Sequence, residues 1–387
     1  MSGAPIRSLR QDLGERPFLV IWEVTRACEL VCRHCRADAV PHRSPLELDT
    51  DDGRAMLDDL ADLGSPRPIV VLTGGDPFQR PDLADLVAHG TSRNLTMALS
   101  PSVTPRLTPA VLRELRDAGA KAVSLSLDGA TASTHDGFRR VAGVFDQTLV
   151  AARAVRELGF RLQINTTVTA GNVHELPAIL RHVLDLEATL WSVFFLVPTG
   201  RGAMLGALDA DGSEEVLHWL HDVSGYVPVK STEAPHFRRI ALQRAQAADV
   251  DASFPPGPLR QALRAETQQL LGDHPRRPQG ARPPLDINAG RGFVFVDHHG
   301  AVFPSGFLPV AAGSVRERPL SEIYRQSPLL QALRDPEALG GRCGRCEFRA
   351  VCGGSRSQAF AASGDALGED PMCAHVPAVP VGAPARR

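Results

Sequence analysis

The chain has 387 residues, 42 lysines and arginines against 44 aspartates and glutamates, and a formal net charge of −2. That balance gives no general electrostatic reason to bind nucleic acid or a membrane surface, and no apolar run approaches the roughly twenty residues needed to cross a bilayer. The 43% apolar content is that of a globular protein, and the length suits one large domain with a smaller one.

The start, Met1-Ser2-Gly3-Ala4-Pro5-Ile6-Arg7, lacks a hydrophobic signal core, so the expected location is cytoplasmic, with residues 1–16 an N-terminal extension. The first strand is predicted over Phe18–Val24. Directly after it comes Cys28-Glu29-Leu30-Val31-Cys32-Arg33-His34-Cys35, a C-x3-C-x2-C run on one short loop. Soft thiolates select Fe–S clusters, zinc or copper. Three thiolates can hold three irons of a four-iron cluster and leave the fourth open to a small ligand. The alternative is zinc with His34 or His42 as fourth ligand, although zinc sites usually come as two CxxC-like halves far apart.

Further strands are predicted over Pro68–Leu72, Thr96–Leu99, Ala122–Leu127, Arg161–Val168 and Leu190–Val197. Helices such as Asp51–Leu63, Pro109–Ala118 and Val144–Leu158 lie between them. Apolar strands alternating with helices argue for a parallel sheet of βαβ units, either a doubly wound sheet or a partial barrel. In a barrel the active groups collect at the C-terminal ends of the strands. Thr73-Gly74-Gly75-Asp76-Pro77 follows the second strand, where two glycines let backbone approach a ligand closely. Ser124-Leu125-Ser126-Leu127-Asp128-Gly129 ends the fourth. Asn165 and Thr167, two apart on the fifth, point to one face. Pro198-Thr199-Gly200-Arg201-Gly202 ends the sixth.

Residues 203–284 read as a connection. Its helices are Ser213–Val223 and Pro235–Ala247, its short strand is Val227–Lys230, and a proline-rich linker holds the helix Leu259–Leu271. Within it, Glu233, His236, Arg238 and Arg239 join an acid, a histidine and two arginines near a strand end. Two arginines could pair with substrate carboxylates; a helix N-terminus with solvated arginines is the structural alternative. Residues 285–376 form a compact tail with strands around Gly292–Val296 and Ala301–Pro304, turned at an expectedly exposed His298-His299-Gly300. A helix near Leu320–Leu333 follows. Then come Cys343, Cys346, Cys352 and Cys373, spaced C-x2-C-x5-C-x20-C: four thiolates, enough for zinc or a fully ligated cluster. Residues 377–387 read as a disordered tail. Three plus four accounts for all seven cysteines, an odd number that suits metal in a reducing compartment better than disulfides.

The first cysteine loop, Gly74-Gly75-Asp76 and the strand-four polar pair together resemble the radical S-adenosylmethionine (SAM) enzymes. The resemblance implies an α/β fold, a partial (β/α)6 TIM-like barrel over residues 17–202, with a smaller C-terminal Fe–S domain of SPASM/twitch type. It implies that Cys28, Cys32 and Cys35 hold a 4Fe-4S cluster that binds SAM, and that Gly74, Gly75, Asp76, Ser126, Asp128 and Asn165 line the SAM site. Arg139, in His135-Asp136-Gly137-Phe138-Arg139, also matches a recurrent family stretch. Cys343, Cys346, Cys352 and Cys373 would hold one auxiliary 4Fe-4S cluster. The stretch from Cys352 to Cys373, with Gly292-Phe293-Val294-Phe295-Val296, resembles the haem-biosynthesis branch and a subgroup close to it. That branch points to a tetrapyrrole propionate as substrate, with Glu233, His236, Arg238 and Arg239 as contacts, and to a flavodoxin or ferredoxin as electron donor. A ribosomal-peptide maturase is the alternative enzyme, so the substrate is a small molecule or a peptide. A non-catalytic zinc scaffold is the alternative of another class.

Overall fold

The computed structural model describes residues 4–277 and 280–378; residues 379–387 of the expected disordered tail lie outside them. The first half alternates strand and helix: β1 (Leu19–Glu23), α1 (Thr50–Asp62), β2 (Ile69–Thr73), α2 (Leu83–Ser92), β3 (Thr96–Leu99), α3 (Pro109–Asp117), β4 (Ala122–Ser126), α4 (Ala132–Arg139), α5 (Val144–Glu157), β5 (Arg161–Val168), α6 (Leu176–Asp185) and β6 (Leu190–Phe195). Local chemistry marks the helix starts. Asp49 and Asp52 form a reciprocal capping box on α1, and Thr108 caps α3 ahead of Pro109.

The connection holds α7 (Ala210–Val223), β7 (Val229–Thr232), α8 (Phe237–Gln246), α9 (Val250–Ser253) and α10 (Pro258–Leu271). Strand β7 is not a separate short piece: it pairs parallel with β6, Trp191 opposite Val229. The tail holds β8 (Asn288–Ala289), β9 (Gly292–Val296), β10 (Ala301–Phe303), β11 (Gly313–Ser314), α11 (Leu320–Gln326), α12 (Pro328–Arg334), α13 (Gly341–Arg345) and α14 (Arg356–Ser363). The single helix expected near Leu320–Leu333 is two, because Pro328 cannot continue α11 and Ser327 before it is extended.

The sheet runs β11-β10-β9-β1-β2-β3-β4-β5-β6-β7, with β8 beside β9. Strand β9 lies parallel to β1, Leu19 opposite Phe293 and Trp22 opposite Val296. The tail therefore shares its hydrogen-bonded sheet with the barrel. Among the described residues no strand pairing joins β7 to β11, and the sheet is a partial barrel. Glu233, just after β7, bridges the opening by accepting from the Ser305 and Ser355 hydroxyls at 2.8 and 2.6 Å.

Strand period sorts the side chains. Val20, Trp22, Val70, Leu72, Val123, Leu125, Leu162 and Ile164 are fully buried in the core between sheet and helices. The alternate residues face the lumen, and their character changes around it. On β1 and β2 they are Leu19, Ile21, Ile69 and Val71; on β4 and β5 they are Ser124, Ser126, Gln163, Asn165 and Thr167.

Candidate active site

Cys28, Cys32 and Cys35 sit beyond the C-terminal end of β1 and border a cavity of about 770 Å³ that runs through the barrel. Backbone contacts hold this loop. Gly75 and Asp76 N–H groups donate to Thr25 and Ala27 carbonyls at 2.8 and 2.7 Å. A Cβ on Gly74 would stand 2.3 Å from the Thr25 oxygen, and one on Gly75 2.4 Å from the Ala27 oxygen. Only glycine permits that approach, so the glycine pair is locked against the cysteine loop. From the other side Arg201 Nε donates to the Cys32 carbonyl at 2.9 Å.

Each of the three sulfurs has a donor. Leu30 N–H reaches Cys28 Sγ at 3.3 Å, Ala39 N–H reaches Cys35 Sγ at 3.5 Å, and Arg139 reaches Cys32 Sγ at 3.6 Å. Donors to sulfur stabilise thiolate ligands and tune a cluster. Three thiols with donors, beside an open cavity, fit a cluster with one free iron.

The residues expected around SAM divide. Gly74, Gly75, Ser126 and Asn165 line the cavity, and Asn165 Oδ1 accepts from Gln163 Nε2 at 2.7 Å. Asp76 and Asp128 do not line it. Asp76 is fully buried, accepts from Thr104 Oγ1 and Phe78 N–H, and caps the turn after the glycines; burial pushes its carboxyl up. Asp128 is 1% exposed, takes Thr167 N–H at 2.7 Å on one oxygen and pairs with Arg139 on the other. Burial would raise its carboxyl, but Arg139, together with His34, His135 and the Thr167 N–H, outweighs that and holds it below its ordinary range. Arg139, which does line the cavity, is thus a buried cation held by a buried carboxylate and pointed at the cysteine loop. His135 Nδ1 accepts from Asp128 N–H at 3.0 Å, and burial with Arg139 pulls its pKa down to about 4, so the ring is neutral.

Sequence reading missed two contributors. Ser102, after β3, donates to the Gly75 carbonyl at 2.7 Å and lies 3.5 Å from Cys28 Sγ. Arg36 is paired at 2.6 Å with buried Glu23, which His298 also meets at 3.0 Å. Burial alone would raise Glu23; Arg36 and His298 together hold it lowered. His298, expected in solvent, is 6% exposed because the β9–β10 turn folds over the end of β1; His299 is exposed. An Arg thirteen residues past β1 and an Asp-His-His-Gly turn carry no local sign of this contact.

The second cysteine group surrounds a hollow of about 30 Å³ lined by Cys343, Cys346, Cys352 and Cys373. Asp370 N–H donates to Cys343 Sγ at 3.3 Å, Phe348 N–H to Cys346 Sγ at 3.4 Å, and Arg239 reaches Cys373 Sγ at 3.8 Å. Burial pushes the Cys352 thiol up to about 12, against Arg238 and a Gly354 backbone donor, so metal binding there must release a proton. Cys346, Glu347 and His375 also place ligand atoms within 4.8 Å of one another.

The four residues expected to touch substrate belong mainly to this second region. Arg238 spends its donors on the backbone carbonyls of Val351, Ile287 and Cys352 at 2.7, 2.6 and 2.8 Å, tying α8 to the cysteine segment. Arg239 is paired with Glu214 at 2.5 Å. His236 is fully buried 3.8 Å from Asp370. Glu233 reaches the cavity wall, but as the bridging carboxyl described above, at φ +59°. The two arginines are therefore structural donors and not free carboxylate receptors.

The family model described as the radical SAM superfamily matches residues 22–183. The chain is similar to the AdoMet-dependent heme synthase of Methanosarcina barkeri, 38% identical over 363 residues covering 93% of this chain and 97% of that protein. It is 38% identical over 363 residues to the AdoMet-dependent heme synthase of Nitratidesulfovibrio vulgaris, covering 93% and 92%. Among solved structures, Streptococcus suis SuiB bound to S-adenosylmethionine shares the fold with a TM-score of 0.64 at 15% identity, over 93% of this chain and 78% of that one. No described helix is long and apolar enough to cross a membrane.

Proposed function

The chain belongs to the radical SAM superfamily as an enzyme with a SPASM-like C-terminal region, and we propose that its substrate is an iron tetrapyrrole whose propionate side chain is oxidatively decarboxylated. When bound, the cluster and SAM would supply a 5′-deoxyadenosyl radical to take one hydrogen atom from a substrate carbon; release of carbon dioxide with formation of the alkene also gives up one electron, for which the second cluster would be the acceptor. In this reading Cys28, Cys32 and Cys35 hold the catalytic cluster. The Gly74-Gly75 backbone, Ser126 and Asn165 receive SAM. Arg139 offers its charge to the SAM carboxylate, and Asp128 and His135 keep Arg139 aimed. Asp76 acts only by holding the glycine turn. Electrons come from a flavodoxin- or ferredoxin-class donor, in a reducing cytoplasm that keeps all seven cysteines free.

Cys343, Cys346, Cys352 and Cys373 hold an auxiliary 4Fe-4S cluster. Ligands of one ion crowd together, whereas ligands of a cluster bind different irons and stand further apart. The trio of Cys346, Glu347 and His375 supports a second reading, a single zinc ion, which iron, sulfide and zinc analysis of anaerobically purified protein separates.

The cavity carries the substrate reading. It is about 770 Å³, within the range of small-molecule and cofactor sites, and ends at the cysteine loop. One side is apolar, with Phe194, Phe295 and Phe307 among its lining, and the other is polar along β4 and β5. A flat apolar macrocycle with acid side chains matches such a lining. The test is iron coproporphyrin added to the reconstituted enzyme with SAM and reductant. The expected result is 5′-deoxyadenosine above background and a product lighter by one or more carboxyl groups. Stimulation by a peptide and none by any tetrapyrrole would move the chain to the maturase reading.

A further inference from the structure

Among the described residues, seven cationic side chains line the barrel cavity against a single carboxyl, Glu233. Three of the seven are accounted for: Arg36 by Glu23, Arg139 by Asp128, and Arg238 by backbone carbonyls. The remaining four are Arg7, Arg161, Lys230 and Arg282. None of them forms an ion pair among the described residues, and Arg7 Nε is buried without a hydrogen-bond partner.

These four come from distant parts of the chain to the barrel cavity. Arg161 opens β5, on the same face as Gln163 and Asn165. Lys230 is the second residue of β7. Arg7 bridges to Leu285 and donates its N–H to the Pro284 carbonyl at 2.9 Å, which brings it beside Arg282. Arg161 and the Arg7–Arg282 neighbours mark the N-terminal end of the strands, opposite the cysteine loop; Lys230, in register with Ser192, stands further along the barrel from that end. Partial burial and then the neighbouring Arg7, Arg277 and Arg161 push the Arg282 pKa down; burial, and Arg282 against Glu233, do the same to Lys230. Gathering four like charges beside a single carboxyl is unfavourable, and it occurs here in a chain whose formal net charge is −2. Arg161 and Arg282 are exposed at the rim, while Arg7 and Lys230 are half-buried inside it. That gradient is the form of an anion funnel, and guanidinium groups match carboxylates bidentately.

We propose that this rim is the carboxylate-binding site of the enzyme. A polycarboxylate substrate docks its acid groups on Arg7, Arg161, Lys230 and Arg282, while its opposite edge extends toward the cysteine loop. Strand β1, five residues long, sets the span between the two ends at about 17 Å, at roughly 3.3 Å per residue. The substrate must therefore be extended and anionic at one edge. That it is a tetrapyrrole rests on the reading above; the rim itself does not.

The experiment titrates the reconstituted full chain with iron coproporphyrin III and with its tetramethyl ester, followed by the Soret band. Wild type, R161Q/R282Q and K230Q are compared at low and high salt, with SAM affinity as control. The wild type should bind the free acid more tightly than the ester by about tenfold or more for each Arg–carboxylate pair made, with loss of that margin at high salt. R161Q/R282Q should lose most of the margin and keep wild-type SAM affinity, and K230Q should lose part of it. If both variants keep the full preference for the acid, the rim proposal is overturned and the tetrapyrrole reading stands. If no porphyrin binds but an acidic peptide binds in a manner that R161Q/R282Q abolishes, the rim stands and the tetrapyrrole reading falls. If neither binds with any dependence on these residues, the rim is not an anion site.

Discussion

The loop carrying Cys28, Cys32 and Cys35 borders a cavity of about 770 Å³, whereas Cys343, Cys346, Cys352 and Cys373 close around a hollow of about 30 Å³. Both groups surround their sulfurs with N–H donors. The first is held by glycine backbone packed on backbone and by Arg201 on the Cys32 carbonyl, and one cation, Arg139, reaches a sulfur. The second is wrapped by arginines: Arg239 and Arg356 reach sulfurs, and Arg238 fastens the Cys352 carbonyl. Three thiols with room beside them suit a site where a small molecule must bind. Four thiols in a filled pocket suit one that holds a metal group and admits little else.

Removing the ligands tests that contrast most severely. C28A/C32A/C35A should abolish 5′-deoxyadenosine formation and remove half of about eight irons per chain. C343A/C352A/C373A should remove the other half and leave uncoupled SAM cleavage measurable. Equal loss of cleavage in both would erase the distinction.

Asp128→Ala strikes the support of the first region alone. It leaves Arg139 buried and unpaired, so stability in denaturant should fall by about 3–5 kcal/mol. SAM affinity should drop with it, and iron at the second site should remain.

Acid bears on the same support. His135 is held neutral in the fold, with a pKa of about 4 against 6.5 unperturbed. Between those values the unfolded chain binds the extra proton. This contribution is therefore fully present above pH 6.5 and is lost as pH falls toward 4, on the order of 3 kcal/mol in all. Urea unfolding across that range should show the slope, and His135→Asn should flatten it.

Gly75→Ala asks whether the backbone packing matters as much as the thiols. Its Cβ would meet backbone oxygens at 2.4 and 2.5 Å, so a loss of about 1–3 kcal/mol and weaker SAM binding are expected, with the second site unaffected.

The smallest effect sits between the regions. Burial raises the Glu233 pKa, so its stabilising contribution is present at low pH and declines as pH rises through that folded value. Glu233→Gln should equal wild type near pH 4 and become the more stable of the two at pH 8 by thermal melting. A variant less stable than wild type at every pH would make the bridge to Ser305 and Ser355 dependent on the carboxylate.

Both cysteine groups, the glycine turn and the strand–helix alternation were legible because each depends on residues close in sequence. Spacing puts three thiols on a loop, and period two puts Asn165 and Thr167 on one face. The errors fell where a side chain's partner lies far away in the chain. Asp128 was read as facing a ligand, but Arg139 occupies it. Arg238 was read as free, but carbonyls near positions 287 and 352 take its donors. His298 was read as exposed, yet Glu23 receives it.

By itself, then, the sequence determined the family, the grouping of the thiols and the alternating architecture, since cysteine spacing and side-chain period are local properties of the chain. Tertiary structure alone decided that β9 joins β1, that Glu233 spans the open edge, and that Arg7, Arg161, Lys230 and Arg282 meet at one rim. Those outcomes depend on which charges and hydrogen-bonding groups are brought together once the sheet has curved, and pairings between distant segments leave no pattern along the sequence.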